Sequence, residues 1–351
     1  MKIANKPLGK EHPVLVIAEI GVNHDGSVDR ALELVDVAAK AGADAIKLQI
    51  FRAQNLMHDS SAFAAYQQNT CQDAHPSEML RRYELPKDDL QRVIAYARSK
   101  NLLAIATPFS LQDIPLIQQL HLDAVKIASP DLVNLPLLRA AMATHKPLLI
   151  STGAATMDEI ETTASWMGNR PYALLHCISS YPTPSGDANL CWIEELLSRF
   201  HVPVGYSDHT TEVYAGALAV AAGACVIEKH LTYDCAAAGP DHAASADPKM
   251  FSEYVRLIRS AEQFRGTRGK HVLPIEQDVR RVSRQSLVLS RDLPAGAIIT
   301  SDDLTVQRPG IGIPVALIDQ VIGRQMDQSA PAGTMLTWNM ISSPALSAAV
   351  Q

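Results

Sequence analysis

Six ionisable side chains stand inside short apolar runs of the sequence, at Glu19, Lys47, Lys126, His209, Glu228 and His230. Burying such a group without a partner costs several kcal/mol, so it persists where a ligand, a metal or another charge compensates it. A structural ion pair explains any single one of them about equally well. Several such groups at the same end of neighbouring strands are harder to explain in that way, and together they predict an active site.

The two lysines indicate what kind of ligand this site takes. Two ammonium groups that face one cavity suit an anion, either a phosphate or a carboxylate. The string Ser151-Thr-Gly153 precedes a predicted helix over residues 157–166. Backbone N–H groups at the start of a helix bind phosphate oxygens well, which supports the same interpretation.

The two histidines suggest a metal. Neutral imidazoles on adjacent strands, His209 and His230, suit a divalent transition metal with open coordination positions. The alternative interpretation, two unrelated polar histidines, stays open at this point because the spacing is less specific than a helical metal motif. His176 lies within another apolar run, and we expect it to pack in a layer of side chains inside the barrel.

The elements that must position these groups are short strands alternating with helices. Apolar runs cover residues 14–20, 45–50, 102–107, 124–129, 147–151, 172–179, 202–207 and 224–230. The segments between them carry the i, i+3, i+4 apolar spacing of helices. Eight strand–helix units in about 265 residues predict a (β/α)8 TIM barrel, whose catalytic groups gather at the carboxyl ends of the strands. A doubly wound open sheet is the alternative, but no GxGxxG string follows the first strand.

Composition excludes several classes of protein. The 351 residues contain 31 Lys and Arg against 37 Asp and Glu, a net charge of −6, so we expect neither nucleic acid nor an anionic membrane as partner. No apolar run approaches the ~20 residues that cross a bilayer. The five cysteines are scattered without CxxC spacing, which favours a reducing cytoplasm over a disulfide framework.

A change of composition predicts two domains. Residues 1–265 carry the strand–helix rhythm, and the segment 266–284 is rich in arginine and is interpreted as a linker. Residues 285–351 contain brief β-like runs at Ser286–Leu289, 297–299 and 334–336, separated by Gly and Pro turns. This last part is predicted to be a small β-rich domain.

Nine strings in register resemble the sialic acid synthase family, the phosphoenolpyruvate-dependent synthases of nonulosonic acids. They are Ala18-Glu-Ile-Gly-Val-Asn-His-Asp-Gly26, Lys47-Leu-Gln49, Thr107-Pro-Phe109, Lys126-Ile-Ala-Ser129, Ser151-Thr-Gly153, His176-Cys-Ile-Ser-Ser-Tyr-Pro-Thr-Pro184, Ser207-Asp-His209, Glu228-Lys-His230 and Gly239-Pro-Asp241. The resemblance covers nearly the whole chain. Arg308-Pro-Gly310 also resembles part of the antifreeze-like (SAF) domain that follows the barrel in this family.

The resemblance implies that phosphoenolpyruvate condenses with an N-acetylmannosamine-like sugar and water, giving a nine-carbon 2-keto acid and phosphate. Mn2+, or another divalent metal such as Mg2+ or Co2+, would bind His209 and His230. Glu19 or Glu228 would orient the water or handle its proton. Phosphoenolpyruvate would contact Lys47, Gln49, Thr107, Lys126, Ser129, Ser151 and Ser207. The sugar would contact Ser179, Tyr181, Asp241 and Arg308, the last reaching from the partner chain of a domain-swapped homodimer.

The resemblance leaves the acceptor sugar open. Members that form acetylneuraminate often carry Asn where Ser179 stands here, and residues 53–85, where the family places a further sugar contact, contain no recognisable motif. A legionaminate or pseudaminate synthase that uses a diacetamido-trideoxyhexose is therefore an alternative. Another metal-dependent TIM-barrel keto-acid synthase or aldolase is a second alternative, and a carbohydrate- or ice-binding module on an inactive barrel is a third.

Overall fold

The computed structural model describes residues 1–58, 75–267 and 269–342. The chain forms two compact units, residues 1–267 and, in the described part, 269–342. A helix at Gln277–Ser283, within the predicted linker, belongs to the second unit. Residues 343–351 of the predicted small domain lie outside the described residues.

The first unit is a closed barrel of eight parallel strands, as the sequence predicted. Its strands are β3 (Leu15–Glu19), β4 (Ala45–Ile50), β5 (Leu103–Pro108), β6 (Ala124–Ile127), β7 (Leu148–Ser151), β8 (Tyr172–His176), β9 (Val204–Asp208) and β10 (Val226–His230). They pair in chain order, and β10 closes the barrel against β3. The doubly wound alternative is therefore excluded.

Helices connect the strands of the barrel, as parallel pairing requires. The helices are α1 (Val28–Ala41), α2 (Ala53–Leu56), α3 (Pro76–Tyr83), α4 (Lys87–Ser99), α5 (Ile114–Gln119), α6 (Leu135–Met142), α7 (Met157–Met167), α8 (Cys191–Phe200), α9 (Ala215–Ala221), α10 (Pro248–Arg265), α11 (Gln277–Ser283) and α12 (Ile318–Val321). Of these, α11 and α12 belong to the second unit. Short 3₁₀ turns lie at Leu111–Asp113, Ser129–Asp131, Ser185–Asp187, His242–Ala244, Pro274–Glu276, Ser301–Asp303, Val315–Leu317 and Trp338–Met340. Local signals set the helix ends: Ser27 caps α1, and Gly42 ends it with a φ of 84°.

Alternation along the strands separates two cores. Ile46, Leu48 and Ile50 of β4 face outward and pack under the helices. Ala45 faces inward and packs with other inward residues near the amino ends of the strands. A hairpin of β1 (Lys2–Ile3) and β2 (Lys6–Pro7) adds the fully buried Ile3 to this inner cluster. Apolar side chains thus fill the barrel interior near the amino ends of the strands and leave the carboxyl end for polar groups.

His176 does not lie in the barrel interior, so that expectation is wrong. In β8 the inward residues are Ala173 and Leu175, which places His176 on the outer face. Its Nε2 lies 2.8 Å from the carbonyl oxygen of Ala188, and its ring stacks on Tyr206. The prediction failed because residues 172–179 do not show which alternating set faces inward.

The second unit contains an antiparallel pair of strands, β11 (Ser286–Leu289) and β12 (Leu304–Gln307). The first matches the predicted run, whereas residues 297–299 and 334–336 contribute only isolated bridges, Ile298 to Gln325 and Met335 to Val288. A separate apolar core surrounds Leu287, Ile299 and Leu336. Within the described residues, no helix combines the length and the apolar character needed to cross a membrane.

Candidate active site

The carboxyl ends of the barrel strands surround a cavity of about 430 Å³. It is lined by most of the residues that the sequence singled out: Lys47, Gln49, Thr107, Lys126, Ser129, Ser151, Ser179, Tyr181, Ser207, His209, Glu228, His230 and Asp241. They come from several strands and from the loops that follow them, and those on the strands are inward residues towards the carboxyl ends. The strand alternation therefore brings together residues that are far apart in the chain.

An ionic cluster lies at the centre of this cavity. Lys47 forms an ion pair with Glu19, and its Nζ lies 3.3 Å from Oε1 of Glu228. The Nζ of Lys126 lies 3.9 Å from the same oxygen, and the hydroxyl of Ser207 donates to it over 2.9 Å. All four charged side chains are at least 93% buried, since none exposes more than 7% of its side-chain surface. Mutual compensation explains how the cluster remains stable without solvent.

The pKa values of the two carboxylates of this cluster shift in opposite directions. Burial raises the pKa of Glu19, even though Lys47 opposes the change. Burial also acts on Glu228, but Lys126 and Lys47 together outweigh it and lower the pKa of Glu228 to about 2. Environments that separate the pKa values of two neighbouring carboxylates suit them to different tasks, and the lowered pKa of Glu228 makes it a stable anion at neutral pH.

Hydroxyl groups accompany both lysines. Lys47 donates to Oγ1 of Thr107 over 3.3 Å, and Lys126 donates to Oγ of Ser151 over 2.6 Å. Gly153 leaves no room for a side chain, since a Cβ there would collide with Ser179 and Ser129. Two ammonium groups and several hydroxyls therefore converge on one space, as the predicted anion site requires.

The helix expected to assist this anion site does not present a free amino end. It begins at Met157, after a capping box in which Thr156 and Glu159 bond reciprocally to each other's backbone N–H groups. The N–H of Gly153 donates instead to Oγ of Ser129 over 3.1 Å. Side chains, rather than the helix terminus, provide the polar groups that line this part of the cavity.

His209 and His230 lie side by side, with ring centroids 5.6 Å apart. The Nδ1 of His209 lies 2.8 Å from the carbonyl oxygen of Ile178 and donates to it, which leaves Nε2 with a lone pair. Burial lowers the pKa of His209 to about 4 and that of His230 well below its usual value. Both rings are therefore neutral at pH 7 and able to ligate.

The donor set fits a metal that takes only part of its ligands from the chain. Across residues 1–58, 75–267 and 269–342, no three His, Cys, Asp or Glu side chains are placed to hold one ion together. Nδ1 of His230 is buried, forms no hydrogen bond within the described part of the chain and lies 3.6 Å from Oδ2 of Asp241. Two imidazoles without a third ligand from the described residues leave coordination positions for water and substrate oxygens.

One wall of the cavity is apolar, and sequence reasoning did not find it. It consists of Val22, Phe51, Leu56, Met57, Met79, Leu80 and Phe109. The rings of Phe51 and Phe109 meet edge to face at 6.0 Å. Four of these residues lie in or beside α2 and α3, within the segment that showed no motif. The spacing of Met79 and Tyr83, buried on one face of α3, was the available signal.

Two predicted site residues lie outside the cavity wall. Glu19 is fully buried, with its carboxylate held by Lys47 and by the backbone N–H of Gly21. Arg308 belongs to the second unit, where it is exposed immediately before Pro309. Neither position contradicts a role in the reaction, and both roles stay predictions.

Comparison with known proteins decides the family. The model of the NeuB family matches residues 34–270. The chain is 39% identical to the N,N'-diacetyllegionaminic acid synthase of Legionella pneumophila, over 96% of this chain and 97% of that one. The chain belongs to the NeuB family. The resemblance noted from the nine strings, and the synthase function that it implied, are thereby confirmed.

Other comparisons extend over both units of this NeuB-family chain. The SAF domain model matches residues 284–342, so the predicted antifreeze-like domain is confirmed. The N-acetylneuraminate-9-phosphate synthase of Mus musculus is 31% identical over 86% of this chain and 84% of its own. The crystal structure of the N-acetylneuraminic acid synthetase of Leptospira borgpetersenii superposes with a TM-score of 0.72 at 33% identity, covering 80% of this chain and 94% of that one.

Proposed function

We propose that this NeuB-family synthase joins phosphoenolpyruvate to the open-chain aldehyde of an N-acetylated hexosamine, with water, giving a nine-carbon 2-keto acid and phosphate. The observation that carries the proposal is the placement of Lys47 and Lys126, with their hydroxyl partners, beside the neutral pair His209 and His230. One half of the cavity suits a phosphorylated carboxylate, and the other suits a carbonyl oxygen.

In this reaction the lysines hold the anionic reactant. Lys47 and Lys126 bind its phosphate and carboxylate oxygens, with Thr107 and Ser151 as further partners. Carbon C3 of phosphoenolpyruvate then forms a bond to the aldehyde carbon of the sugar, and the aldehyde oxygen takes up a proton. The positive character left at C2 is removed when water adds there and loses a proton. The C2–O bond to phosphate finally breaks, which leaves the 2-keto group.

The two imidazoles, His209 and His230, would hold a divalent metal, which supplies Lewis-acid polarisation of the aldehyde oxygen. Nitrogen donors favour Mn2+ or Co2+ over Mg2+, whose preferred ligands are oxygens. Tyr181 packs on His209 with ring centroids 4.2 Å apart, so it limits the space in which the aldehyde can lie.

We assign the water to Glu228 rather than to Glu19. Oε2 of Glu228 is buried and accepts no hydrogen bond from the described residues, although this side chain lines the cavity. An anion with a lowered pKa orients water and stabilises positive character at C2 better than it stores a proton. Glu19 does not line the cavity, and its ion pair fixes the direction of Lys47.

The apolar wall supports a deoxygenated, acylated acceptor. Leu56, Met79 and Leu80 offer no partner for a sugar hydroxyl or phosphate, but they suit the C6 methyl group and second acetamido methyl group of a diacetamido-trideoxyhexose. Ser179, Tyr181 and Asp241 remain as polar contacts for the rest of the sugar. The relative named as an N,N'-diacetyllegionaminic acid synthase supports the same choice.

Phosphate release tests the function. Wild-type enzyme with phosphoenolpyruvate and Mn2+ is expected to release phosphate only when an N-acetylated hexosamine is added. The kcat/KM for 2,4-diacetamido-2,4,6-trideoxymannose should exceed that for N-acetylmannosamine by about 10-fold, the discrimination usual for one apolar group. His209→Ala should lose about 1,000-fold, since Lewis-acid polarisation contributes several kcal/mol.

His176→Ala is the matched control, because it removes a buried imidazole on the outer face of β8. It should lose stability but keep turnover. If His209→Ala keeps full activity in the presence of a chelator, the reaction does not depend on a metal at this site. Phosphate release with an unacetylated aldose phosphate, and none with the acetylated sugars, favours a different keto-acid synthase.

A further inference from the structure

A buried ion pair lies directly behind the two histidines, on the outer face of the barrel. Lys229 stands between Glu228 and His230 in β10, so its side chain points away from the cavity. Its Nζ lies 3.2 Å from Oδ2 of Asp208 in β9, and the two side chains are 2% and 0% exposed. Desolvation of such a pair cancels most of its attraction, so stability alone does not explain it.

The pair holds the residue that follows His209. Oδ1 of Asp208 accepts the backbone N–H of Thr210 over 2.8 Å, and Lys229 donates to the carbonyl oxygen of Thr210. Both backbone polar groups of Thr210 are therefore bonded to the ion pair. The turn that carries His209 is fixed on one side by this network and on the other by the bond from its Nδ1 to Ile178.

The same pair fixes β9 against β10. Lys229 and Asp208 are register partners across the two strands, so a side-chain bridge adds to the backbone ladder at this point. Tyr254 of α10 donates to Oδ2 of Asp208 over 2.8 Å, and the Nζ of Lys229 lies 5.5 Å from the centre of its ring. Gly216 makes room for that ring, since a Cβ there would lie 2.5 Å from it.

We propose that Lys229 is a positioning residue, which sets the spacing of the His209 and His230 imidazoles through Asp208 and Thr210. The inference rests on the proposed metal site and deepens it. Lys229, Asp208 and Tyr254 do not line the cavity, and the ion pair bonds to the backbone of Thr210, next to His209. Its loss should therefore weaken metal binding more than it weakens the binding of phosphoenolpyruvate.

The test is the affinity of full-length Lys229→Met for Mn2+, measured by isothermal titration calorimetry without substrates. Methionine keeps the length and apolar stem while removing the charge. Loss of a direct partner of a metal ligand typically weakens binding 10- to 100-fold, and because Lys229 acts through the neighbouring backbone we expect the lower end of that range, about 10-fold. At saturating Mn2+, the KM for phosphoenolpyruvate should change less than about 2-fold.

Arg259→Met is the matched control. Arg259 lies on α10, as Tyr254 does, and pairs with Asp44 over 2.6 Å. Asp44, however, precedes β4 at the amino end of the barrel. This variant should lose thermal stability and keep the wild-type affinity for Mn2+. Tyr254→Phe, which removes one bond to Asp208 and keeps the ring, should weaken Mn2+ binding by a smaller factor, and it serves if Lys229→Met does not fold.

Three outcomes overturn the proposal. If Lys229→Met binds Mn2+ with wild-type affinity and its melting temperature falls as in Arg259→Met, the Lys229–Asp208 pair has only a structural role. Wild-type affinity in Tyr254→Phe, when Lys229→Met is unfolded, leads to the same conclusion. If the wild-type enzyme binds no Mn2+ and His209→Ala is as active as the wild type, the metal assignment fails first and this inference fails with it.

Discussion

The centre of the cavity holds two lysines and two glutamates, and the two carboxylates lie in different environments. Glu228 is close to both lysines, whereas Glu19 is fully buried and is held by Lys47 and the backbone N–H of Gly21. Among the described residues, Lys126 has one carboxylate within ion-pair distance, that of Glu228, and shares it with Lys47. This arrangement favours a ligand with several negative charges, such as a phosphorylated carboxylate, whose oxygens would pair with both ammonium groups.

Lys126→Met should therefore lower kcat/KM for phosphoenolpyruvate by about 100-fold or more, the usual loss when one charge-stabilising donor is removed. Steady-state phosphate release checks the rate, and circular dichroism checks that the barrel is folded. Lys146→Met is the control: Lys126 donates to the carbonyl oxygen of Ile127 over 3.1 Å and Lys146 donates to that of Leu122, but Lys146 does not line the cavity. If both variants lose only thermal stability, Lys126 is a structural residue.

At the residue scale, sequence reasoning worked where a strand dictated the side-chain direction. Alternation in β4 and β10 placed Lys47, Gln49, Glu228 and His230 inside the barrel, and the structure shows the same. It failed for Leu56, Met57, Met79 and Leu80, because these follow β4 in short helices whose docking depends on tertiary packing. A pattern within four to eight residues does not show which wall such a helix joins.

The strands of the barrel were easier to predict than most extended segments of the second unit. The run 45–50 coincides with β4, and Ser286–Leu289 coincides with β11, because each is an apolar run bounded by turns. Residues 297–299 and 334–336 look similar in sequence but make only single bridges. In small β-rich domains, bends interrupt the pairing between strands. The β-propensity of a three-residue run does not show where those bends fall.

A carboxylate caps one of those bends. Asp303 is buried and accepts from both the backbone N–H and the hydroxyl of Thr300, over 2.8 and 2.7 Å, and it pairs with Arg291. The hydrogen bonds from Arg291 and Thr300 lower the pKa of Asp303 to about 2. Because the unfolded chain has the higher pKa, about 3.9, this stabilisation is present above pH 4 and is lost as the pH falls towards 2.

Asp303→Ala should lower the melting temperature of the second unit at pH 7 by about 4–8 °C, the effect of losing about 1 kcal/mol from a small domain. The difference from the wild type should shrink between pH 4 and pH 2. Differential scanning calorimetry of the full chain measures both, with the exposed neighbour Asp302→Ala as control. A difference that stays constant with pH would show that the charge of Asp303 is irrelevant.

The two units of the whole molecule were predictable to different depths. Eight alternating strands and helices are enough to predict a barrel, since few other folds bury so many parallel strands. The second unit was predicted from the change of composition and its brief β-like runs, and Arg308-Pro-Gly310 supported its resemblance to the SAF domain, but the association of chains depends on contacts between surfaces. Such contacts leave no periodic signal in the sequence, so the homodimer stays a prediction.

Complementation tests that prediction. If Arg308 completes the sugar site of a partner chain, Arg308→Ala and Lys126→Met should each be inactive alone. Mixed under conditions of subunit exchange, they should recover up to about a quarter of wild-type activity, because random pairing makes half of the dimers mixed and each mixed dimer has one complete site. Native mass spectrometry confirms the exchange. Zero activity in verified mixed dimers means that Arg308 acts within its own chain or only supports the turn at Pro309.

The apolar wall also affects how the enzyme can evolve. Leu56, Met57, Met79 and Leu80 lie on helical segments after β4, whereas the lysines and histidines lie on or just after the strands themselves. If the acceptor binds against this wall as proposed, a mutation there changes the shape offered to it without moving the groups that perform the condensation. Synthases that take different acceptors can then differ at these positions while the condensing groups are kept, and a laboratory library restricted to them samples new acceptors at little risk to catalysis.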